Sequence, residues 1–285
     1  MKENYLTREN LEAFIQAAFK EDVGEGDHST LAAIPKDKEG SAQLFIKEDG
    51  IIAGLELAEL IFHSYDKELE VQLLMEDGQE VSKGAIGLKV KGKAASILTT
   101  ERLVLNCMQR MSGIATKTHN LTKLISHTHA KLLDTRKTTP NFRMLEKWAV
   151  AIGGGENHRF ALYDMVMLKD NHIDFAGGIE AAILATKAYL KENLLDLKIE
   201  VETRNLEEVK EVLRVGGVDV IMLDNMSYDM MKEAVAFIDG KMLTEASGGI
   251  TEETLKDVAE CGVDYISVGA LTHHVKSMDI SLKAD

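Results

Sequence analysis

The residues best able to do chemistry in this chain come in short polar runs. Each run follows a short apolar stretch: Asp134-Thr135-Arg136-Lys137, Lys169-Asp170-Asn171-His172, Glu202, Asp224-Asn225, Glu245 with Ser247-Gly248-Gly249, and Gly269-Ala270. Arginine meets a carboxylate or phosphate with two parallel hydrogen bonds, and lysine adds a compact charge. Residues 131–172 set Lys131, Arg136, Lys137, Arg143, Lys147, Arg159 and Lys169 against Asp134, Glu146, Glu156, Asp164 and Asp170, in a chain of formal charge −14. A basic island in an acidic protein is a candidate site for a small anion. Arg143 and Lys147 are expected on a solvated helix face rather than in that site. One polar residue after a strand means little; the recurrence carries the inference.

The elements that must position these runs alternate. Apolar stretches at Lys131–Leu133, Met165–Leu168, Ile199–Val201, Val218–Leu223, Met242–Thr244 and Tyr265–Val268 read as strands. Helical patterns fall between most of them, at Met144–Ile152, Ile179–Lys191, Leu206–Val215, Tyr228–Ile238 and Thr254–Glu260. Strands alternating with helices imply a parallel sheet with right-handed crossovers. About six or seven such units predict an incomplete parallel α/β barrel, whose strand ends share one rim where active sites sit. A doubly wound open sheet is the rival, but no Gly-x-Gly-x-x-Gly follows the first strand.

The N-terminal part reads as α+β. A helix is predicted over Met1–Phe19, with Leu11, Phe14, Ile15, Ala18 and Phe19 facing a core. Strands are predicted at Ala42–Ile46, Ile51–Ala53 and Ile86–Val90, the first two split by the turn Glu48-Asp49-Gly50. A helical pattern runs from Ser96 through 112–116, with Gly113 as a bend or a close-packing point. The expected division is an α+β domain over 1–110, a barrel over 111–271, and a C-terminal segment, 272–285, that packs back on the first domain.

Composition narrows the function classes. The charge argues against nucleic acid or an anionic membrane as partner. The start has no apolar signal-peptide core, and no charge-free apolar run approaches the roughly 18 residues of a membrane span. Cys107 and Cys261 have no metal-type spacing and fit a reducing compartment, so a cytoplasmic location is expected. The remaining histidines and scattered methionines read as surface and core filling.

At the level of motifs the chain resembles the quinolinate phosphoribosyltransferase family, also called nicotinate-nucleotide pyrophosphorylase (carboxylating), nearly end to end. The resemblance rests on Glu21-Asp-Val-Gly-Glu-Gly-Asp27, Glu101-Arg102 through Asn106, Ser112-Gly-Ile-Ala-Thr116 and Asp134-Thr-Arg-Lys-Thr-Thr-Pro140. It continues through Leu145-Glu-Lys147, Gly153-Gly-Gly155, Asn157-His-Arg159, Lys169-Asp-Asn-His172, Glu200-Val-Glu202, Met222-Leu-Asp-Asn225, Glu245-Ala-Ser-Gly-Gly249 and Val263 to Ala270. Asn141-Phe142 stands where the family usually has Gly-Leu, and His273-His274 where it usually has His-Ser.

The resemblance implies an N-terminal α/β domain, an incomplete barrel, a homodimer, and an activity. Phosphoribosyl pyrophosphate and quinolinate would give nicotinate mononucleotide, pyrophosphate and CO2, a step of de novo NAD biosynthesis. It implies that Arg136, Lys137, His158, Arg159 and Lys169 surround quinolinate, with Arg102 entering the neighbouring subunit's site. Lys137, Lys169, Glu202 and Asp224 are the expected catalytic residues. Together with Ser247, Gly248, Gly249, Val268, Gly269 and Ala270 they would hold phosphoribosyl pyrophosphate, the glycine turns taking the 5′-phosphate. Glu202 and Asp224 would hold Mg2+, partly through water or substrate; Glu202 is chosen over Glu200 as nearer the strand's end. Since pairing the C2 carboxylate tightly would oppose its loss as CO2, the tightest arginine contacts are expected on the C3 carboxylate. Two other readings remain: a barrel aldolase with Lys169 as a desolvated Schiff-base lysine, and a non-catalytic binder of the same anion. For His158, a core histidine bonded to backbone competes with the ligand role.

Overall fold

The computed structural model describes residues 5–285. The first four positions of the predicted N-terminal helix lie outside the described residues. Two compact units form: residues up to 119 with 138–154 and 271–285, and residues 120–137 with 155–270.

In the first unit α1 (Arg8–Asp22) is capped by Thr7, whose side chain accepts from the Asn10 N–H. After it come α2 (His28–Ala33), β1 (Glu39–Ile46), β2 (Gly50–Ile51), α3 (Leu55–Tyr65), β3 (Glu70–Leu73), β4 (Glu80–Val81), β5 (Ile86–Lys93) and the 31-residue α4 (Ala94–Leu124). Strand β1 alternates, burying Ala42, Leu44 and Ile46, as a half-solvated antiparallel strand should. Gly113 does not bend α4: a Cβ there would overlap the Lys276 carbonyl oxygen, so the glycine serves close packing. The division expected at 110/111 falls inside α4, one continuous helix.

The second unit begins with β6 (Lys131–Leu133). Helix α5 (Arg143–Ile152), next in the chain, belongs to the first unit. Asn141 before it takes φ +61°, a left-handed turn in which Asn replaces the usual glycine at tolerable cost, and Phe142 packs edge-on against Phe14 at 5.7 Å. The expectation that Arg143 and Lys147 decorate a solvated helix face is wrong. Lys147 is fully buried, and the Arg143 Nε donates to Thr138 Oγ1. One turn on from Arg143, α5 carries buried Glu146, which accepts from Arg110 Nη2 at 2.8 Å and from the Thr139 N–H and hydroxyl.

The remaining elements are β7 (Val166–Leu168), α6 (Asp170–Ala176), α7 (Ile179–Glu192), β8 (Ile199–Thr203), α8 (Leu206–Val215), β9 (Val220–Asp224), α9 (Tyr228–Ile238), β10 (Leu243–Ser247), α10 (Glu252–Ala259), β11 (Tyr265–Ser267), α11 (Ala270–His273) and β12 (Ile280–Ala284). Six parallel strands hydrogen-bond in the order β6-β11-β10-β9-β8-β7, an incomplete barrel in which Glu156 adds a one-residue parallel bridge to Leu133. Val220–Leu223 are buried throughout, because helices cover one face of a parallel sheet and side chains fill the other. Strand β12 joins the first unit's antiparallel sheet, order β12-β1-β5-β3. No helix among the described residues is long and apolar enough to cross a membrane.

Candidate active site

Register decides which side chains share the barrel's interior. Glu202 pairs with Met222, Met222 with Glu245, and Asp224 with Ser247. Paired residues and those two apart share a face, so Glu200, Glu202, Asp224, Glu245 and Ser247 all point the same way. Asp224 and Ser247 are the last residues of β9 and β10, and Glu202 is next to last in β8. Lys169, just past β7, reaches the same place: its Nζ lies 3.4 Å from Glu202 Oε2. The Lys169 N–H donates to His172 Nδ1 at 3.0 Å, which fixes the lysine at the start of α6.

Burial pushes the Glu202 carboxyl above its usual range; Lys169 opposes this, while the charges of Asp224 and Asp170 add to it. Hard oxygen donors that repel one another at a strand-end rim fit a divalent cation such as Mg2+, which takes one or two carboxylates and keeps waters or substrate oxygens elsewhere. Beside them Asn225 adopts φ +53°, its N–H donating to the Ser247 carbonyl and its Nδ2 to Asp224 Oδ2 at 2.7 Å. Gly248 and Gly249 follow with positive φ, exposing the turn after β10.

The arginines lie on the other side of the sheet order. Asp134, fully buried, accepts from Asn157 Nδ2 at 2.7 Å and from the His158 N–H at 2.9 Å, which ties the 134–137 run to the 157–159 run. Burial pulls Arg159 below the ordinary guanidinium value, and the adjacent Arg136 charge pulls it further. Arg159 Nη1 donates to the Met165 carbonyl at 3.2 Å. Two arginines on runs tied by Asp134, one of them partly desolvated, suit an anion bearing more than one negative charge. Lys137 follows on the exposed side of this loop.

His158 sits deeper than a rim ligand. Its Nε2 lies 3.0 Å from Glu200 Oε2 and 3.2 Å from Glu245 Oε2, and its Nδ1 accepts from the Arg159 N–H at 2.6 Å. Burial opposes a charge on the imidazole, but the two carboxylates outweigh it and draw its pKa up. Burial raises Glu200 to about 7, with the Glu245 charge adding to the rise.

Three expectations need correction. Glu245 lies inside β10, buried, and is not part of the loop after it. The Val268 N–H is taken by the Leu133 carbonyl at 3.0 Å, as strand pairing extends one residue past β11, so it has no free donor for a phosphate. Lys169 is about half exposed, at 49%, and ion-paired, unlike the desolvated lysine a Schiff base requires. Arg102 is exposed on α4 in the first unit. Asp134, Glu200 and Asn225 were not assigned from sequence; the one signal was Glu200's place two residues before Glu202 on the same strand face.

Comparison with known proteins agrees with this geometry. Residues 27–112 match the family model for the quinolinate phosphoribosyl transferase N-terminal domain, and residues 114–283 match that for the C-terminal domain. A Nicotiana glauca protein named quinolinate phosphoribosyltransferase [decarboxylating] 2, mitochondrial, is 49% identical over 97% of this chain and 82% of its own length. A Bacillus subtilis probable nicotinate-nucleotide pyrophosphorylase [carboxylating] is 42% identical over 95% of this chain and 92% of its own. The crystal structure of NadC from Streptococcus pyogenes superposes with a TM-score of 0.92 at 40% identity, covering 98% of this chain and 97% of that one. The chain belongs to the quinolinate phosphoribosyl transferase family.

Proposed function

We infer that this chain transfers the phosphoribosyl group of phosphoribosyl pyrophosphate to the ring nitrogen of quinolinate, releasing pyrophosphate and CO2 and leaving nicotinate mononucleotide for NAD biosynthesis. The observation that carries this reading is the tie that buried Asp134 makes between the Arg136 and Arg159 runs, on the same barrel whose strand ends hold Lys169, Glu202, Asp224 and the Gly248 turn.

Arg136 and Arg159 receive the two adjacent carboxylates of quinolinate, aided by Lys137 and Lys169. The ring nitrogen's lone pair forms a bond to the anomeric carbon as the bond to pyrophosphate breaks, through a cationic, oxocarbenium-like state. Glu202 and Asp224 orient the ribose and offset its developing positive charge, while Lys137 and Lys169 stabilise the departing pyrophosphate. Mg2+ held at Glu202 and Asp224 would supply further charge neutralisation on the phosphates. The turns at 247–249 and 269–270 receive the 5′-phosphate through backbone N–H groups. The alkylated ring nitrogen is then cationic. The electrons of the bond to the C2 carboxylate pass to C2 as CO2 leaves, and C2 takes a proton.

Arg159 is assigned to the C3 carboxylate, because a tight grip on the leaving C2 carboxylate would raise the barrier to its loss. Arg159→Ala should therefore weaken binding of the 3-carboxylate, nicotinate, more than that of the 2-carboxylate, picolinate; competition assays giving equal losses would refute the assignment. The working unit in this reading is a homodimer in which Arg102 completes the partner's site. A cytoplasmic location belongs to this reading, in keeping with two cysteines that have no metal-type spacing and fit a reducing compartment, although the Nicotiana relative is named mitochondrial. The test is CO2 release from purified protein given quinolinate, phosphoribosyl pyrophosphate and Mg2+. A folded protein that binds quinolinate and releases no CO2 would instead be the non-catalytic anion binder.

A further inference from the structure

We propose that Glu200 and Glu245 are positioning residues for the quinolinate site, clamping His158 from within the barrel and, through its ring, the backbone of Arg159. The proposal rests on the function inferred above. It adds two residues from mid-strand positions, beneath the rim where substrate contacts are made.

The two glutamates are isolated from water, and their strands flank β9. His158 Nε2 lies within ion-pairing distance of both carboxylates. Glu200 Oε1 and Oε2 and Glu245 Oε1 have no well-aligned hydrogen-bond donor in the protein. Leaving a buried carboxylate so poorly satisfied is costly, so the arrangement needs a purpose other than stability. The His158 Nε2, the Glu200 carboxylate and the Glu245 carboxylate lie within 4.8 Å of one another, close enough for a metal ion. The far side of the imidazole argues against one. A metal-bound histidine donates its second ring N–H to an acceptor, whereas His158 Nδ1 faces a donor, the N–H of Arg159. The two carboxylates favour a charged imidazole, but the Arg159 N–H needs a lone pair on Nδ1, so the ring keeps a single proton, on Nε2, and presents it to the carboxylates.

The consequence is mechanical. Asp134 already holds the His158 N–H and the Asn157 side chain. The glutamates hold the ring and the ring holds the Arg159 N–H, so the peptide that aims Arg159 is fixed at several points before substrate arrives. Preorganisation of this kind lowers the cost of binding without entering the chemical step.

Steady-state kinetics of Glu200→Gln and Glu245→Gln test the clamp. Both amides keep the shape and lose the charge. Loosening Arg159 should raise the KM for quinolinate about tenfold while leaving kcat and the KM for phosphoribosyl pyrophosphate near wild type. Glu245→Asp, which keeps the charge, should recover part of the loss. If the carboxylates acted only as a negative background, their removal would tighten dianion binding, so an unchanged or lowered quinolinate KM overturns the proposal. Equal rises for both substrates would mark general destabilisation and overturn it too. Nitrogen-15 NMR of the histidine-labelled wild-type chain decides the matter even if the variants fail to fold. Protonated Nε2 with an unprotonated Nδ1 is expected, and a protonated Nδ1, whether in the opposite tautomer or in the imidazolium, removes the clamp. Wild-type turnover is the separate control, because an inactive wild type refutes the inferred function whereas an active one with unaffected variants refutes only the clamp.

Discussion

At Gly248 the backbone takes φ +96°, and a Cβ there would run into the side-chain amide of Asn225. That amide in turn donates to Asp224, so one contact couples the proposed ribose carboxylate to the proposed phosphate turn. Gly248→Ala must therefore either displace Asn225 or shift the turn, with a backbone strain of about 1–3 kcal/mol. The expected outcome is a raised KM for phosphoribosyl pyrophosphate, an unchanged KM for quinolinate and a lower melting temperature. A variant with wild-type kinetics for both substrates would mean that the turn does not meet the donor. Asn225 was visible in sequence only as the neighbour of Asp224; its left-handed conformation and its closeness to a glycine in the turn after the next strand depend on sheet pairing, which spacing alone does not reveal.

At the level of elements, α2 illustrates how a short helix is held. Asp27 caps it by accepting from the Thr30 N–H at 3.0 Å, and its other oxygen accepts from Thr99 Oγ1 of α4 at 3.2 Å. Hydrogen bonds from Thr30 hold the Asp27 carboxyl below its usual 3.8. A carboxylate whose folded pKa is depressed stabilises the fold above the usual pKa, and that contribution is lost as pH falls through 3.8 and below. Asp27→Ala should thus cost about 1 kcal/mol at neutral pH, and the gap from wild type should shrink in acid, as urea unfolding at the two conditions would measure. The larger elements were legible because their apolar runs and helical periods are strong: β6 and β9 lie where the pattern placed them. Helix α6 was not, since Asp170-Asn-His at its start reads as a polar loop. Strands β3 and β4 are too short, and too exposed on alternate residues, to register. Glu245 was misplaced for a related reason, because the apolar run Met242–Thr244 ends just before a polar side chain that still belongs to the strand.

On the scale of the whole molecule, the chain divides its chemistry between two units. Arg102 is exposed on α4 of the first, while Arg136, Arg159, Lys169, Glu202 and Asp224 belong to the second. The basic island at 131–172 was legible as charge against an acidic background, and buried Asp134 ties its Arg136 and Arg159 runs together; which subunit's site Arg102 serves is not written in one chain's charge pattern. The proposed twofold dimer makes the question testable, because two sites that exchange the same residue can be crippled separately and then combined. Arg102→Ala and Lys169→Ala homodimers should each be nearly inactive. If Arg102 acts across the interface, random exchange of subunits makes roughly half the dimers mixed, each with one site that carries both residues. The mixture should recover roughly a quarter of the wild-type activity per protomer. If the arginine acts within its own subunit, every site of the mixed dimer lacks one residue or the other, because the two substitutions lie in different protomers and no single chain carries the intact pair. Recovery after co-unfolding and refolding of the two variants therefore places Arg102 in the partner's site, and a mixture as inactive as its parents places it at home.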